Sequence, residues 1–201
     1  MGRLVSIVGP SGIGKTTLVR ALSACAPDLT PAYEGHADRP FQRRFARDPR
    51  YALANQIDYL LARAEQERAL RGVQGIVLMD GGLEMDFFGF TRLFHHRGYL
   101  SDEELDLCKR LYESLRTALP APDLFVRLTA RPEMIAARLK QRDRVNIARA
   151  EDAALLDSFL DEWQAAWPMG SFLVWDVSDS DASYPNAPQL VEKIRQRLNR
   201  G

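Results

Sequence analysis

The sequence has few cysteines and no long hydrophobic run, and both absences narrow what the protein can be. Its two cysteines, Cys25 and Cys108, lie far apart and form neither a CxxC motif nor a Cys/His metal spacing. We expect both to be reduced and buried in helices, as in a cytosolic protein. No stretch approaches the ~18 apolar residues of a membrane span, and the first apolar run begins too early for a signal peptide to precede it. The sequence therefore predicts a cytoplasmic protein without a membrane partner.

The chain also lacks an excess of charge of either sign. Its 201 residues include 27 Lys+Arg and 27 Asp+Glu, so the formal net charge is zero. Without an overall positive field, a polynucleotide partner is not expected. Hydrophobic residues make up 46% of the chain, the balance of an ordinary globular protein. With this length, we predict a single domain over residues 1–201.

Short apolar runs alternate with longer stretches of helical periodicity along the chain. This alternation is typical of an α/β fold, a parallel sheet with helices on both faces. Buried strands are predicted at residues 3–8, 75–80, 123–129 and 171–177, with a weaker strand at Ala32–Glu34. Helices are predicted at residues 15–25, 48–71, 85–97, 101–118, 132–141, 151–166 and 186–199. The polar segment 27–48 has no clear periodicity, and we expect a loop there at the ligand-binding edge of the sheet.

The first strand is followed by a glycine-rich segment, GPSGIGKT, and then by a helix. The segment fits the phosphate-binding pattern G-x-x-x-x-G-K-[ST], which is meaningful between a strand and a helix. Backbone N–H groups and the helix N-terminus would surround the phosphates of ATP or another nucleoside triphosphate. Lys15 would reach the β- and γ-phosphates, and the Thr16 hydroxyl would bind Mg²⁺. The predicted ATP-binding residues are Gly9, Pro10, Ser11, Gly12, Ile13, Gly14, Lys15, Thr16 and Thr17.

Charged residues at strand and helix ends would supply the rest of a phosphotransferase site. Asp80 directly follows an apolar strand, where an acid would orient Mg²⁺ together with Thr16, or would simply end the strand in a turn. Glu34 ends the weak second strand and could accept a proton from an attacking hydroxyl. The basic residues Arg138, Arg142 and Arg144 would neutralise charge on the transferred phosphoryl group, or would form a solvated helix end.

Several short motifs follow the order and spacing of a known kinase family. They are Phe45-Ala46-Arg47-Asp48-Pro49, Arg50-Tyr51-Ala52 with Gln56, Gly98-Tyr99-Leu100-Ser101 with Glu104, Pro122-Asp123-Leu124, and Arg138-x-x-x-Arg142-x-Arg144. With the glycine-rich loop, they make the chain resemble the deoxynucleoside kinase family from Val5 to about Trp167. The resemblance implies a P-loop NTPase fold with a five-stranded parallel sheet of order 2-3-1-4-5. It also implies a lid at about residues 138–150 and a homodimer formed through the middle helices.

The same resemblance implies a reaction and a set of acceptor-site residues. The reaction is ATP-dependent phosphoryl transfer to the 5′-hydroxyl of a deoxynucleoside or nucleoside-like acceptor, with Glu34 as the general base. Gln56, Arg63 and Asp86 match residues that bind the nucleobase, and the resemblance pairs Asp86 with Arg63. Without it, Gln56 and Arg63 would be interpreted as surface residues of an amphipathic helix.

Three positions depart from the family's pattern. Asp80-Gly81-Gly82 stands where the family has an acid, an arginine and a serine, so an arginine that clamps the reacting groups is missing. Arg39 and Arg92 are candidates to replace it. Ala46 and Ile147 stand in place of a tyrosine and a glutamate that hold the sugar 3′-hydroxyl. Losing such contacts typically costs about 1–3 kcal/mol each, which indicates an altered sugar end of the acceptor site.

Two other functions are compatible with the sequence. A nucleoside monophosphate kinase, such as one acting on thymidylate, needs extra arginines for its acceptor's phosphate, and those near the second strand are Arg39, Arg43, Arg44 and Arg47. A nucleotide-binding module that has lost kinase activity would explain the missing clamp arginine. The intact glycine-rich loop, the arginines of the lid and Glu34 favour a nucleoside kinase.

Overall fold

The centre of the protein is a five-stranded parallel sheet. The structure, a computed structural model, describes residues 2–34, 39–140, 152–181 and 183–199. The strand order is β2-β3-β1-β4-β5 and every pairing is parallel, which confirms the predicted fold. The strands are β1 Arg3–Val8, β2 Leu29–Ala32, β3 Ile76–Asp80, β4 Leu124–Thr129 and β5 Phe172–Asp176.

Helices pack on both faces of the sheet. They are α1 Lys15–Cys25, α2 Pro40–Phe45, α3 Ala52–Leu70, α4 Arg92–His96, α5 Asp102–Ala118, α6 Pro132–Lys140, α7 Asp152–Ala166 and α8 Ala187–Leu198. Apolar residues of α1, α6 and α8 form one layer with the sheet, while those of α3, α5 and α7 cover the opposite face. None of the helices in the described ranges is both long and apolar enough to cross a membrane.

The second strand lies earlier in the chain than the sequence predicts. It covers Leu29–Ala32 rather than Ala32–Glu34, so Glu34 follows the strand instead of ending it. The strand pairs only with β3, and a proline at position 31 is tolerated because this is the edge of the sheet. Only its two terminal residues are buried, which explains why the apolar signal was weak. The segment predicted as a loop, 27–48, also contains the short helix α2.

Two predicted helices begin with turns of a different kind. The helix predicted at 48–71 starts with the 3₁₀ turn Pro49–Tyr51, where the Asp48 carboxylate accepts a hydrogen bond from the N–H of Arg50 at 3.0 Å. The helix predicted at 85–97 starts as a π-helix over Met85–Thr91 and continues as α4. Apolar spacing does not distinguish these turns from an α-helix, so the sequence could not reveal them.

The two cysteines have different environments. Cys108 is buried in α5 as predicted, and burial raises the pKa of its thiol to about 11. Cys25 is exposed at the end of α1, so the prediction that it is buried was wrong. Cys25 shares a helix face with Leu18 and Leu22, which is why the spacing predicts burial, but it is the last residue of α1 and is exposed at the end of that face.

A buried arginine ties α7 to the sheet. Arg127 on β4 has a side chain only 3% exposed, and its guanidinium lies 2.8 Å from Asp157 and 2.7 Å from Asp161 on α7. A buried cation with two carboxylate partners holds both elements in one relative position. α7 is the first helix after the segment predicted as the lid, so this contact fixes the position of that helix on the sheet.

A second buried ionic cluster joins α3, α5 and the residues before the π-helix. The carboxylates of Glu67 and Glu84 are fully buried, and Arg116 donates to Glu67 at 2.8 Å and to Glu84 at 2.9 Å. Arg71 also donates to Glu67 at 2.8 Å. Burial raises the pKa of Glu84 above its usual range, and Arg116 opposes that change. The cluster fixes the helix that carries Asp86 relative to α3.

We predict that Arg116→Met destabilises the protein by about 3–5 kcal/mol, because it removes the cation that pairs with the buried Glu84 and leaves the buried Glu67 with Arg71 alone. Urea denaturation followed by circular dichroism measures the change. Arg110→Met is the matched control on the same helix: Arg110 and its partner Asp106 are 67% and 63% exposed, and loss of such a pair costs at most about 1 kcal/mol. Equal losses in the two variants would contradict this account.

Candidate active site

The register of the sheet brings three segments together at the carboxyl ends of its strands. They are the glycine-rich loop, the end of β3 and the segment that contains Glu34. Ile7 of β1 pairs with Asp80 of β3, so the glycine-rich loop that follows Val8 begins beside the end of β3. Ala32 of β2 pairs with Met79, which places Glu34 just beyond the same edge on the other side of β3. The carboxyl ends of parallel strands are where ligands bind in α/β proteins. The residues predicted to bind the phosphate donor and those predicted to bind the phosphate acceptor therefore lie at the same end of the sheet.

The glycine-rich loop has the backbone conformation of a phosphate cradle. Gly14, directly before α1, has a φ of +109°, a left-handed value that suits glycine. The Lys15 ammonium donates to the carbonyl of Gly9 at 2.8 Å and to that of Pro10 at 3.2 Å, across the mouth of the loop. The loop leads directly into the N-terminus of α1, the end of a helix that favours negatively charged groups. Residues 9–17 thus lie between a strand and a helix as expected, and their binding of ATP stays a prediction.

The predicted metal ligands are in direct contact. The Thr16 hydroxyl donates to the Asp80 carboxylate, which lies at the end of β3 and is buried. A hydroxyl and a carboxylate are hard oxygen ligands of the kind that Mg²⁺ accepts while keeping several waters and phosphate oxygens. Within the described residues no group of three or more His, Cys, Asp or Glu could hold a metal. The two oxygens fit a magnesium ion whose remaining ligands would be waters and phosphate oxygens.

The structure places one of the three predicted lid arginines. Arg138 donates to the carbonyl of Ile13 at 2.6 Å and to that of Ser180 at 2.7 Å, so it joins the glycine-rich loop to the segment after β5. Arg142 and Arg144 lie outside the described residues, as does Ile147. The role of these arginines at the transferred phosphoryl group stays a prediction.

Sequence reasoning missed a residue that supports the glycine-rich loop. Tyr184 lies three residues before α8 and is buried. Its hydroxyl lies 3.4 Å from the Gly14 carbonyl oxygen. Burial raises the pKa of Tyr184, while Arg138 opposes the change. No motif surrounds this tyrosine, and it lies 170 positions from Gly14. Only the packing of α8 against α1 brings the two together.

On the acceptor side, the three predicted base-binding residues form one buried cluster. The Gln56 amide donates to the carbonyl of Asp86 at 2.8 Å, and Arg63 Nε donates to Asp86 Oδ2 at 2.8 Å. The same guanidinium lies 3.4 Å from the carboxylate of Glu34. The π-helix matters here, because its turn exposes the Asp86 carbonyl to both Gln56 and the hydroxyl of Thr91. Contrary to their interpretation as surface residues, Gln56 and Arg63 are buried.

Burial and charge set the ionisation of this cluster. Burial raises the pKa of Asp86, Arg63 lowers it, and the nearby charge of Glu34 raises it further. Burial would lower the pKa of Arg63, but Asp86 and Glu34 outweigh it and raise the pKa above its usual range. Burial, with the charges of Glu34 and Asp86, also raises the pKa of Tyr59 to about 12. A permanent guanidinium beside two carboxylates is thus the dominant electrostatic feature of the acceptor side.

Tyr59 and Asp58 are further site residues that the sequence did not reveal. The guanidinium of Arg39 lies over the Tyr59 ring, 4.6 Å from its centroid, and pairs with Asp58 at 3.2 Å. Tyr59 is half-buried and lies beside the cluster formed by Gln56, Arg63 and Asp86. The spacing of Tyr59 between Gln56 and Arg63 on α3 was a usable signal, since residues three and four apart share a helix face.

The fold and the loop together define a P-loop NTPase, and comparison with known families gives the assignment within that class. The sequence profile of the deoxynucleoside kinase family matches residues 5–196, nearly the whole chain. The chain therefore belongs to the deoxynucleoside kinase family. This confirms the resemblance inferred from its motifs.

Individual relatives agree with this assignment. The chain is 29% identical over 149 residues to a deoxyadenosine kinase of Dictyostelium discoideum, a match that covers 71% of this chain but only 58% of that relative's length. It is 28% identical over 192 residues to the ribose 1,5-bisphosphate phosphokinase PhnN of a Ruegeria species, covering 90% of this chain and 85% of that protein. Among solved structures, a deoxyadenosine kinase from M. mycoides with products dCMP and a flexible dCDP bound has a TM-score of 0.75. That match covers 98% of this chain and 100% of the other at 19% identity, so it supports the fold.

We predict that Gly14→Ala weakens both stability and ATP binding. A Cβ at this position would lie 2.4 Å from the Tyr184 hydroxyl oxygen, and the φ of +109° disfavours any side chain. The backbone strain alone costs about 1–3 kcal/mol. Thermal unfolding with and without ATP measures the effect. Gly14→Ala combined with Tyr184→Phe removes the clash but keeps the strain, so it should unfold at a higher temperature than Gly14→Ala alone. A double variant no more stable than the single one would refute the steric explanation.

Proposed function

We propose that the protein transfers the γ-phosphoryl group of ATP, or of another nucleoside triphosphate, to the 5′-hydroxyl of a deoxynucleoside or closely similar acceptor. The observation that carries this proposal is the arrangement along one sheet edge. The phosphate-binding loop lies on one side of Asp80, and Glu34 with the Gln56–Asp86–Arg63 cluster lies on the other. Membership of the deoxynucleoside kinase family supports it.

On the donor side, this chain's residues bind and neutralise phosphate. Loop N–H groups and Lys15 hold the β- and γ-phosphates, while Thr16 and Asp80 hold Mg²⁺. When bound, the metal neutralises charge that develops on the phosphate oxygens. Arg138, Arg142 and Arg144 would neutralise charge on the transferred phosphoryl group, and Arg138 would have to release the carbonyls of Ile13 and Ser180 to do so. Phosphoryl transfer depends mainly on such positioning and charge neutralisation.

On the acceptor side, Glu34 accepts the proton of the attacking hydroxyl, and the buried cluster binds the base. Carboxylates accept hydrogen bonds from exocyclic amino groups, and glutamine amides pair with the edge of adenine. Asp86 and Gln56 therefore favour bases with an amino group at the pyrimidine 4- or purine 6-position, which are cytosine and adenine. The named activities of two relatives, both deoxyadenosine kinases, are consistent with this preference.

An acceptor that already carries a phosphate receives less support from the arginines suggested for it. Arg39 is engaged by Asp58 and Tyr59, and Arg44 lies over the ring of Tyr51 at 5.4 Å. Because the chain is also similar to a ribose 1,5-bisphosphate phosphokinase, the test of function has to include phosphorylated acceptors.

The function is tested by incubating the protein with ATP, Mg²⁺ and a panel of acceptors, followed by chromatography of the products. The panel contains deoxynucleosides of each base, their 5′-monophosphates and ribose 1,5-bisphosphate. We expect deoxyadenosine and deoxycytidine to be converted into monophosphates. Transfer only to monophosphates or to the sugar bisphosphate would show an acceptor with its own phosphate. Tight ATP binding without transfer would show a nucleotide-binding module.

We predict that Glu34→Gln lowers kcat for the preferred nucleoside by about 100- to 10,000-fold, because the general base is lost while a side chain of the same size remains. The KM for ATP should stay unchanged, since Glu34 lies on the acceptor side. Glu65→Gln, an exposed carboxylate on α3, is the control and should leave both parameters unchanged. Turnover by Glu34→Gln or Glu34→Ala equal to that of the unmodified protein would refute the general-base role.

We also propose that the chain acts as a cytoplasmic homodimer, assembled through α3 and α5. These neighbouring helices expose Leu61 and Leu107, which are 43% and 37% accessible. Exposed leucines on adjacent helices are typical of a surface that a second copy covers. The free thiols at Cys25 and Cys108 are consistent with a reducing compartment.

We predict that Leu107→Lys converts the dimer into a monomer, because it places a charge within the buried contact. Size-exclusion chromatography with light scattering measures the mass of each form. Met169→Lys, at a fully exposed position after α7, is the control and should leave the mass unchanged. A monomeric unmodified protein, or a dimeric Leu107→Lys variant, would contradict the proposed interface.

A further inference from the structure

The guanidinium of Arg63 contacts three separate segments of the acceptor side. Its Nε binds Asp86 on the π-helix at 2.8 Å, and its Nη1 donates to the Asp80 carbonyl at the end of β3 at 3.2 Å. Its Nη2 lies 3.4 Å from Glu34 Oε1, just beyond β2. The Arg63 side chain is only 6% exposed. One buried cation therefore touches the base-binding acid, the end of the strand that carries the metal-binding acid, and the general base.

The absence of a side chain at position 81 makes room for this guanidinium. Gly81 has a φ of +80°, and a Cβ added there would lie 3.0 Å from Arg63 Nη2. Any side chain at position 81 would require a strained backbone and a displaced guanidinium. The glycine at the end of β3 and the arginine on α3 are thus complementary. Arg63 can reach Glu34 because residue 81 has no side chain.

The two arginines suggested from the sequence as clamps are bound to other partners. Arg92 pairs with Glu162 at 2.6 Å and lies over the ring of Phe159, on α7. Arg39 pairs with Asp58 and covers Tyr59. In the part of the chain that the structure describes, the cation paired with Glu34 is Arg63.

Glu34 needs a contact of this kind to act as a base. Its side chain is 36% exposed and follows an edge strand. The backbone beside it is held, since Gln66 donates a hydrogen bond to the Tyr33 carbonyl at 2.8 Å, but the position of the carboxylate itself depends on what it contacts. Proton transfer requires the carboxylate oxygen within hydrogen-bond reach of the attacking hydroxyl. A rigid, planar guanidinium that is itself held by Asp86 and the Asp80 carbonyl can supply that restraint.

We propose that Arg63 is the positioning residue for Glu34, in addition to binding the nucleobase site through Asp86. The proposal rests on the phosphoryl transfer proposed above. In this proposal Arg63, on α3, takes the role of the missing clamp arginine, which in the family's pattern stands at the end of β3. Loss of Arg63 then impairs the chemical step itself, and not only the binding of the acceptor.

Steady-state kinetics at saturating ATP and acceptor test the assignment. Arg63→Met is expected to lower kcat by about 100-fold or more, the size of effect seen when one preorganised charged or polar contact is lost from a reacting centre. Asp86→Asn keeps the arginine and should act mainly on the KM of the nucleoside. Arg63→Lys should recover only part of kcat, because an ammonium cannot reproduce the planar fork. Adding millimolar guanidinium to Arg63→Ala should restore part of kcat.

Arg71→Ala is the matched control. Arg71 is another largely buried arginine at the end of the same helix, bound to Glu67 at 2.8 Å and remote from Glu34. Its loss should lower the unfolding temperature while leaving kcat unchanged and insensitive to guanidinium. Comparing the two arginines therefore separates a loss of stability from a loss of positioning.

Three outcomes would overturn the assignment. An Arg63→Met variant with unchanged kcat and a raised nucleoside KM would show that Arg63 only binds the base. Equal loss of kcat in Arg63→Ala and Arg71→Ala, without guanidinium rescue, would show a general structural effect. No transfer to any nucleoside by the unmodified protein would refute the proposed function, and the assignment with it. That last result comes from the unmodified protein alone, so the two failures are distinguishable.

Discussion

The parallel pairing of β1 with β3 is the constraint on which the active site depends. Because Ile7 pairs with Asp80, the turn after β1 must form next to the end of β3, and Thr16 then meets the Asp80 carboxylate. A shift of one residue would turn Asp80 to the opposite face of the sheet. The donor half of the site is therefore a consequence of strand register, reinforced by the buried apolar residues that fix that register.

Most of the fold could be predicted from local patterns because the main strands are fully buried. β1, β3 and β4 are short, mainly apolar runs, and the glycine-rich loop marks the end of β1. β2 could not be placed correctly, because an edge strand buried at only two positions leaves little pattern. The π-helix has an apolar composition that an α-helix would share, so its wider turn is visible only in the backbone.

The candidate site likewise has one part that a contiguous motif predicts and another part that only contacts between distant residues reveal. Residues 9–17 form one contiguous motif, so their geometry follows from the sequence alone. The contacts of Tyr184 with Gly14, and of Arg63 with Glu34, join residues far apart in the chain and have no local signature. The sequence showed that an arginine was missing at position 81, but only the packing of α3 shows which side chain enters that space.

Buried arginines that bridge two acids recur in this protein. Arg116 joins Glu67 and Glu84, Arg127 joins Asp157 and Asp161, and Arg63 joins Asp86 and Glu34. Arg116 and Arg63 have acid partners that are 0–5% exposed, so removing either arginine leaves a buried carboxylate uncompensated, whereas the partners of Arg127 are 40% and 72% exposed. Arg116 and Arg127 connect helices to each other or to the sheet, whereas Arg63 connects two parts of the candidate site.

Sharing one guanidinium between two carboxylates limits how the enzyme's specificity can change. A separate clamp arginine would let mutations around residue 63 explore new bases while the chemistry continued. Under the proposed function, a substitution at that position would alter nucleobase binding and the general base together, because Arg63 contacts both Asp86 and Glu34. Acquiring a new substrate would therefore have to begin at the rim, around Tyr59 and Arg39, where changes leave the shared cation in place.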